Sequence, residues 1–219
     1  MAAGRRGVKK TLYSLMLSDE VVREVDALAH RSGLSRSALV DRILAETVSV
    51  TTPERRIGEI FRQVEVLTAG GPELVPLVTP NARSMSLKSC LAYKYRPTVK
   101  YEVELCRSGG GTLLVSCRTR SPELQAELEE FLDRWRRLEE AHLAPLLDDG
   151  QVGGELDGGR FTRPLAALPE ETDCRSVAGA LTDYIRLLDR LLKGSLDGLS
   201  PEDVERAYMA DLDGRAILF

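Results

Sequence analysis

From Lys9 to Leu17 the side chains alternate: Lys9, Thr11, Tyr13, Leu15 and Leu17 fall on one face of an extended chain, Lys10, Leu12, Ser14 and Met16 on the other. A period of two is the mark of a strand, and Tyr13, Leu15 and Leu17 make the better core face. The two helices behind this strand constrain the fold most. Ser18 is placed to cap the first, with Asp19 and Glu20 in the first turn, where the helix dipole favours acids. Val21, Val22, Val25, Leu28 and Ala29 recur at near-helical spacing until Gly33 stops the helix. Ser35 caps a second helix with the stripe Leu39, Val40, Ile43, Leu44 and Val48. One strand and two short helices cannot close a core by themselves, and a lone strand leaves its edge unpaired. The simplest physical solution is a dimer in which two strands pair antiparallel over four helices.

The run Lys9-Lys10-Thr11-Leu12-Tyr13-Ser14-Leu15-Met16-Leu17-Ser18-Asp19-Glu20, then Ala27-Leu28-Ala29, then Ser32-Gly33-Leu34-Ser35-Arg36-Ser37-Ala38-Leu39, resembles the ribbon-helix-helix family of the Arc and methionine repressor type. The resemblance covers residues 8–50, under a quarter of the chain. It implies a dimer core of Tyr13, Leu15, Leu17, Leu39 and Ile43, and a two-stranded ribbon that enters the major groove of double-stranded DNA. The base-facing positions it implies are Lys10, Leu12, Ser14 and Met16. This set departs from the family, whose readers are usually Arg, Lys, Asn, Gln or Thr. Leu12 and Met16 cannot make bidentate contacts to a base; they suit thymine methyls or the surface of a protein. Phosphate contacts are implied at the start of the second helix, at Ser35, Arg36 and Ser37, where free N–H groups and the dipole favour an anion.

Charge supports the same division. Arg5, Arg6, Lys9 and Lys10 have no acid among them in residues 1–18, whereas the whole chain has a net charge of −4. A basic head on an acidic body suits a polyanion at the head. Residues 1–7, with Arg5 and Arg6, read as a flexible basic arm, with Lys9 continuing its charge. Arg5-Arg6 is not followed by an apolar stretch long enough for an export signal, and no run approaches a membrane span. The expected location is the cytoplasm, with no membrane partner. Aromatics are 5% of the chain, which argues against a stacking platform for single-stranded nucleic acid.

Residues 53–219 read as a helix-rich α+β domain with a small antiparallel sheet. Thr52-Pro53-Glu54, Ser121-Pro122-Glu123 and Ser200-Pro201-Glu202 each combine a cap, a proline at the first helical position and an acid. A further helix carries Val177, Leu181, Tyr184, Ile185, Leu188, Leu191 and Leu192. Tyr101, Val103 and Leu105 alternate with glutamates, and Leu113, Val115, Cys117 and Thr119 with Ser116, Arg118 and Arg120. The expected hairpin pairs Leu105 with Val115, Val103 with Cys117 and Glu102 with Arg118, and a third strand is expected within 84–94. Gly150–Gly154 and Gly158-Gly159 read as a flexible loop. The row Leu124, Leu128, Phe131, Trp135 and Leu138 suits packing on the chain's own sheet or a dimer seam. The apolar end Ala216-Ile217-Leu218-Phe219 must dock or mediate assembly.

No catalytic constellation, metal site or cofactor fingerprint is recognisable. Cys90, Cys106, Cys117 and Cys174 have no paired spacing, and His30 and His142 have no ligand partner nearby in sequence. Ser108–Gly111 lacks the lysine and helix of a phosphate loop and reads as a hairpin turn. Glu102 and Glu104 suit cross-strand ion pairs, and Asp148, Asp149, Asp211 and Asp213 suit helix ends. The function expected is that of a homodimeric DNA-binding transcriptional repressor of prokaryotic type, whose body oligomerises, senses a ligand or recruits a protein. The alternative is an accessory or partner-binding protein of a plasmid or conjugative element (relaxosome, partition or antitoxin type) with the same head.

Overall fold

The computed structural model describes residues 11–47, 52–71, 73–77, 83–107, 109–147, 152–169 and 171–219. The chain divides into two compact units, residues 1–56 and 57–219. The architecture is mixed α+β: among the described residues there are six α-helices and one six-stranded antiparallel sheet.

In the first unit, α1 (Asp19–Arg31) and α2 (Arg36–Thr47) form a hairpin. The Ser18 hydroxyl accepts from the Val21 N–H at 3.5 Å, and the Ser35 hydroxyl from the Ala38 N–H at 3.2 Å. The turn between them closes α1 in a defined way. Gly33 lies at φ +63, its N–H donates to the His30 carbonyl, and the Leu34 N–H donates to Ala29 at 3.0 Å. That pairing satisfies the last carbonyls of α1 and needs the left-handed conformation that glycine adopts without steric cost.

The strand expected over 9–17 is not formed within one chain. Residues 11–18 belong to no helix or strand, and residues 9 and 10 lie outside the described residues. The six strands of the sheet lie between Val75 and Leu165 and pair among themselves, so the sheet does not include this segment. The expected dimer core is likewise not assembled by a single copy. Leu39 is buried, whereas Tyr13, Leu15, Leu17 and Ile43 are exposed.

In the second unit the strands run in the order β1-β2-β3-β4-β6-β5, all neighbours antiparallel. They are β1 (Val75–Leu77), β2 (Ser84–Cys90), β3 (Thr98–Leu105), β4 (Gly111–Cys117), β5 (Glu155–Asp157) and β6 (Arg160–Leu165). The helices are α4 (Pro122–Leu138), α5 (Cys174–Leu196), α6 (Pro201–Leu212) and, from residue 57 on, α3 (Pro53–Thr68). All three proline-bearing caps act as read: Thr52, Ser121 and Ser200 accept from the N–H groups of Arg55, Leu124 and Asp203.

The β3–β4 hairpin exists, but its register is four residues tighter than expected. Leu105 pairs with Gly111, Val103 with Leu113, Tyr101 with Val115 and Val99 with Cys117; Glu102 faces Leu114 rather than Arg118. The shift is even, so each side chain keeps the expected face. The turn makes the choice: the Cys106 N–H donates to Gly110 at 2.7 Å, and Gly109 sits at φ +90. A Cβ on Gly111 would lie 2.2 Å from the Glu104 carbonyl oxygen, so the close approach of the two strands there needs glycine.

Residues 155–165 also correct the expectation. Gly158-Gly159 is the two-residue turn of a hairpin joining β5 and β6, which extends the sheet, and not part of a loop. Val152, ahead of it, is buried; residues 150 and 151 lie outside the described residues.

One face of the sheet is apolar in rows. Leu87, Tyr101, Val115 and Phe161 form one row and Met85, Val103, Leu113 and Arg163 the next. These residues and the inner faces of α3 to α6 make one continuous cluster. Leu124, Leu128, Phe131, Trp135 and Leu138 all belong to it, which leaves no dimer seam on that stripe. Phe219 is buried in the same cluster, with Ile217 and Leu218 packed against it, so the apolar end docks on its own unit.

Candidate functional site

Among the described residues seventeen large apolar side chains are exposed, and ten of them lie in the head, between Leu12 and Leu44. Among the described residues of this unit, Ala29 and Leu39 are the buried apolar ones. Along 11–17 both faces reach solvent, with Leu12 at 95% and Leu15 at 51% of full exposure. The base-facing residues Leu12, Ser14 and Met16 are thus accessible, and so are Tyr13, Leu15 and Leu17. Arg5, Arg6, Lys9 and Lys10 lie outside the described residues.

At the start of α2, Ser35 acts as the expected cap and Ser37 is exposed. Arg36 is not a free cation. Its guanidinium forms a two-pronged ion pair with Asp26 of α1. Asp26 raises the Arg36 pKa, first through the hydrogen bond and then through its charge. The sequence reading missed Asp26. Its signal is positional: Asp26 lies one turn before Ala29, and Ala29 is the α1 residue buried in the hairpin. The Arg36 charge at this helix end is thus already compensated by Asp26.

The body holds a second concentration of polar chemistry, at its centre. Arg163 sits on the apolar face of β6 between Phe161 and Leu165 and is wholly buried. Its Nε donates to both carboxylate oxygens of Glu139, at 3.0 and 2.9 Å, and Nη2 donates to the Phe219 backbone oxygen at 2.7 Å. Glu139 opens the π-helical turn that ends α4. It also accepts from the Tyr184 hydroxyl at 2.8 Å, and that hydroxyl accepts from the Trp135 indole N–H at 3.0 Å. Burial alone lowers the Arg163 pKa, but Tyr184 and Glu139 outweigh it and hold the guanidinium above its ordinary value. Burial also pushes Tyr101, Tyr184 and Tyr208 upward. Tyr101 donates to Asp189 at 3.0 Å, and Asp189 in turn pairs with Lys193 at 2.6 Å. With its charges paired and its surface enclosed, this network fixes how β6, α4, α5 and the chain end meet.

Sequence reading missed this network because charged residues are assigned to surfaces. The signal was the inward period of Phe161, Arg163 and Leu165 on β6. His142 pairs with Glu205 at 3.0 Å, and Asp211 with Arg215 at 2.6 Å. Glu102 pairs with Lys100 of its own strand at 2.7 Å. Asp148 and Asp149 lie outside the described residues, and the four cysteines are free thiols.

The second unit also has an open groove of about 800 Å³ beside α5, α6 and residues 214–217. Arg186, Arg190 and Arg215 line it together with Glu73, Asp183 and Asp211, so its charges balance and select no class of ligand. Among the described residues no helix is long and apolar enough to cross a membrane, and no cluster of three metal-ligating side chains occurs. Comparison with protein-family models, curated proteins and solved structures found no match to this chain.

Proposed function

We propose that the first unit is a ribbon-helix-helix DNA-binding head completed by a second copy of the chain, and that the protein is a dimeric transcriptional repressor. One observation carries this reading. Residues 11–17, which alternate in sequence, carry exposed apolar side chains and belong to no helix or strand, directly precede a helical hairpin that buries two apolar side chains among the described residues. Pairing residues 11–17 with the same residues of a second copy supplies the missing backbone hydrogen bonds. It also covers Tyr13, Leu15 and Leu17 against the helices. The other face, Lys10, Leu12, Ser14 and Met16, is then left for the major groove. Ser35 and Ser37, with the N–H groups of α2, meet phosphate. Arg5, Arg6 and Lys9 add salt-dependent affinity. The second unit serves assembly or binds a ligand or protein in the cytoplasm.

Leu12 and Met16 favour a second reading. Without bidentate donors on the ribbon, base discrimination is weak. This suits an accessory protein of a plasmid or conjugative element that organises DNA while its body holds a partner. Fluorescence anisotropy with the DNA upstream of the protein's own gene, against scrambled DNA at two salt concentrations, separates the two. Sequence-dependent binding that survives the higher salt supports the repressor. Equal binding that vanishes with salt supports the accessory protein, and no binding at either salt refutes both.

A further inference from the structure

In the second unit ten of the twenty lysines and arginines form ion pairs among the described residues. Arg62, Lys100, Arg134, Arg136, Arg137, Arg163, Arg186, Lys193, Arg206 and Arg215 all have acidic partners. Six that have no ion pair among the described residues are Lys88, Lys94, Arg96, Arg118, Arg120 and Arg160. The sheet brings all six to one end. Lys88 faces Lys100, Lys100 faces Ser116, and Ser116 faces Arg160, so three cations share one row on the outer face. At about 4.8 Å per strand this row spans about 14 Å. Residues 91–97 join β2 to β3 at the same end, and Arg118 and Arg120 follow the last residue of β4 there. Like charges directly opposite each other, such as Lys88 and Lys100, destabilise a sheet. Glu102 pairs with Lys100 and Asp157 faces Arg160 across β5–β6, which leaves Lys88 with no acid opposite it in the row.

The 91–97 connection adds a second, independent feature. Tyr93 and Tyr95 are both exposed, Tyr95 at 89%, and they alternate with Lys94 and Arg96. Lys94 lies 5.2 Å over the Tyr95 ring. The turn is closed by the Arg96 N–H on the Tyr93 carbonyl at 2.8 Å. Tyr95 and Arg96 adopt φ +66 and +45, and they are the non-glycine residues with positive φ among those described. An L-residue with a bulky side chain is costly there, and glycine is the usual occupant. Holding a tyrosine ring in solvent on a strained turn has no packing return. It has a functional one if the ring meets a flat partner.

We propose that this end of the sheet binds single-stranded nucleic acid: Tyr95, with Tyr93, stacks on unpaired bases, while Lys88, Lys94, Arg96, Arg118, Arg120 and Arg160 track the phosphates. Aromatic faces interleaved with cations are the chemistry of such grooves. The 5% aromatic content of the chain understates it, because two of the six tyrosines stand together on one turn. An anionic lipid surface shares the charge requirement. It also needs inserted apolar side chains, and the exposed part of the loop offers Tyr93 and Tyr95, flanked by Ala92 and Pro97. The surface lies wholly in the second unit and does not depend on the reading of the head.

The test uses the full chain and a fluorescent oligothymidine of about twenty nucleotides, with a duplex of equal length and phosphatidylserine vesicles as comparators. The expected result is binding to oligothymidine that weakens about tenfold or more in Tyr95→Gly and is kept in Tyr95→Phe. Tyr95→Gly should melt at or above the wild-type temperature, since glycine relieves the turn. The triple variant Arg96→Ala/Arg118→Ala/Arg160→Ala should lower the salt slope by about two units, at about 0.7 per phosphate contact. Absence of oligothymidine binding by the wild type overturns the proposal. So does equal binding by wild type and variants, which assigns the affinity to the head. Vesicle binding without oligothymidine binding assigns the surface to lipid and overturns it too.

Discussion

The two units solve the problem of apolar burial in opposite ways. The second unit buries its apolar side chains in one cluster that runs from Ile57 to Phe219 and encloses an ion pair at its centre. Among its described residues the first unit has two buried apolar residues and ten large exposed ones. A body with its own core is stable as a single copy. On the proposed dimeric reading, the core that a hairpin with two buried apolar residues lacks is supplied by a second copy. The contrast points to where the proposed association would act: among the described residues the exposed apolar surface is concentrated in the unit with the smaller core.

The largest effect expected is from Leu15→Asp. It places a charge in the shared core and abolishes pairing of two heads, so amide exchange of α1 and α2 should become fast. The body transition, followed by Trp135 fluorescence, should keep its midpoint. Slow exchange in the variant would show that Leu15 does not face a second copy.

Arg163→Met should do the reverse. It leaves the Glu139 carboxylate buried and should destabilise the body by about 3–5 kcal/mol in urea unfolding, with the head's exchange unaltered. A change below about 1 kcal/mol would mean that the network is dispensable to the body.

Raising the pH sharpens the same comparison. Tyr101, Tyr184 and Tyr208 have pKa values raised above the ordinary 10.0, chiefly by burial. The folded body holds these protons more tightly than the unfolded chain. Its stability from this source is complete below pH 10 and is lost as pH rises toward the folded values. Tyrosinate absorbance from these three should therefore appear together with body unfolding. Its full appearance near pH 10 in a folded body would contradict their burial.

Gly33→Ala should cost the head about 1 kcal/mol, because Gly33 lies at φ +63 with no atom near an added Cβ. A calorimetric scan should show only the head's transition move. The smallest effect is that of Asp26→Ala. It frees Arg36 and should steepen the salt dependence of duplex binding by about 0.9 unit. An unchanged slope would remove Arg36 from the phosphate contacts.

How much of this was legible depended on how local each signal was. The caps at Ser18, Ser35, Thr52, Ser121 and Ser200 and the stop at Gly33 act within one turn of chain, and the structure has them as read. The β3–β4 pairing was legible in face but not in register. A shift of four keeps Val103 and Val115 inward, and only the glycine turn at 109–111 decides between the two. β5 and β6 escaped because a three-residue strand beside two glycines carries almost no period. Arg163 and Glu139 escaped because they lie 24 residues apart and meet only through tertiary packing. Of the candidate head site, Ser35 acts as the cap that was read. Asp26, which occupies Arg36, was hidden because an ion pair across a hairpin has no sequence period.

A dimeric head depends above all on residues 11–17 becoming a ribbon between two copies, and amide hydrogen exchange of that segment tests it directly. Unpaired, as in one chain, these amides exchange at the rate of an unstructured peptide. An intermolecular ribbon predicts alternate amides protected at high protein concentration, with protection lost on dilution. Exchange at the unstructured rate at every concentration, with α1 and α2 still protected, would contradict it.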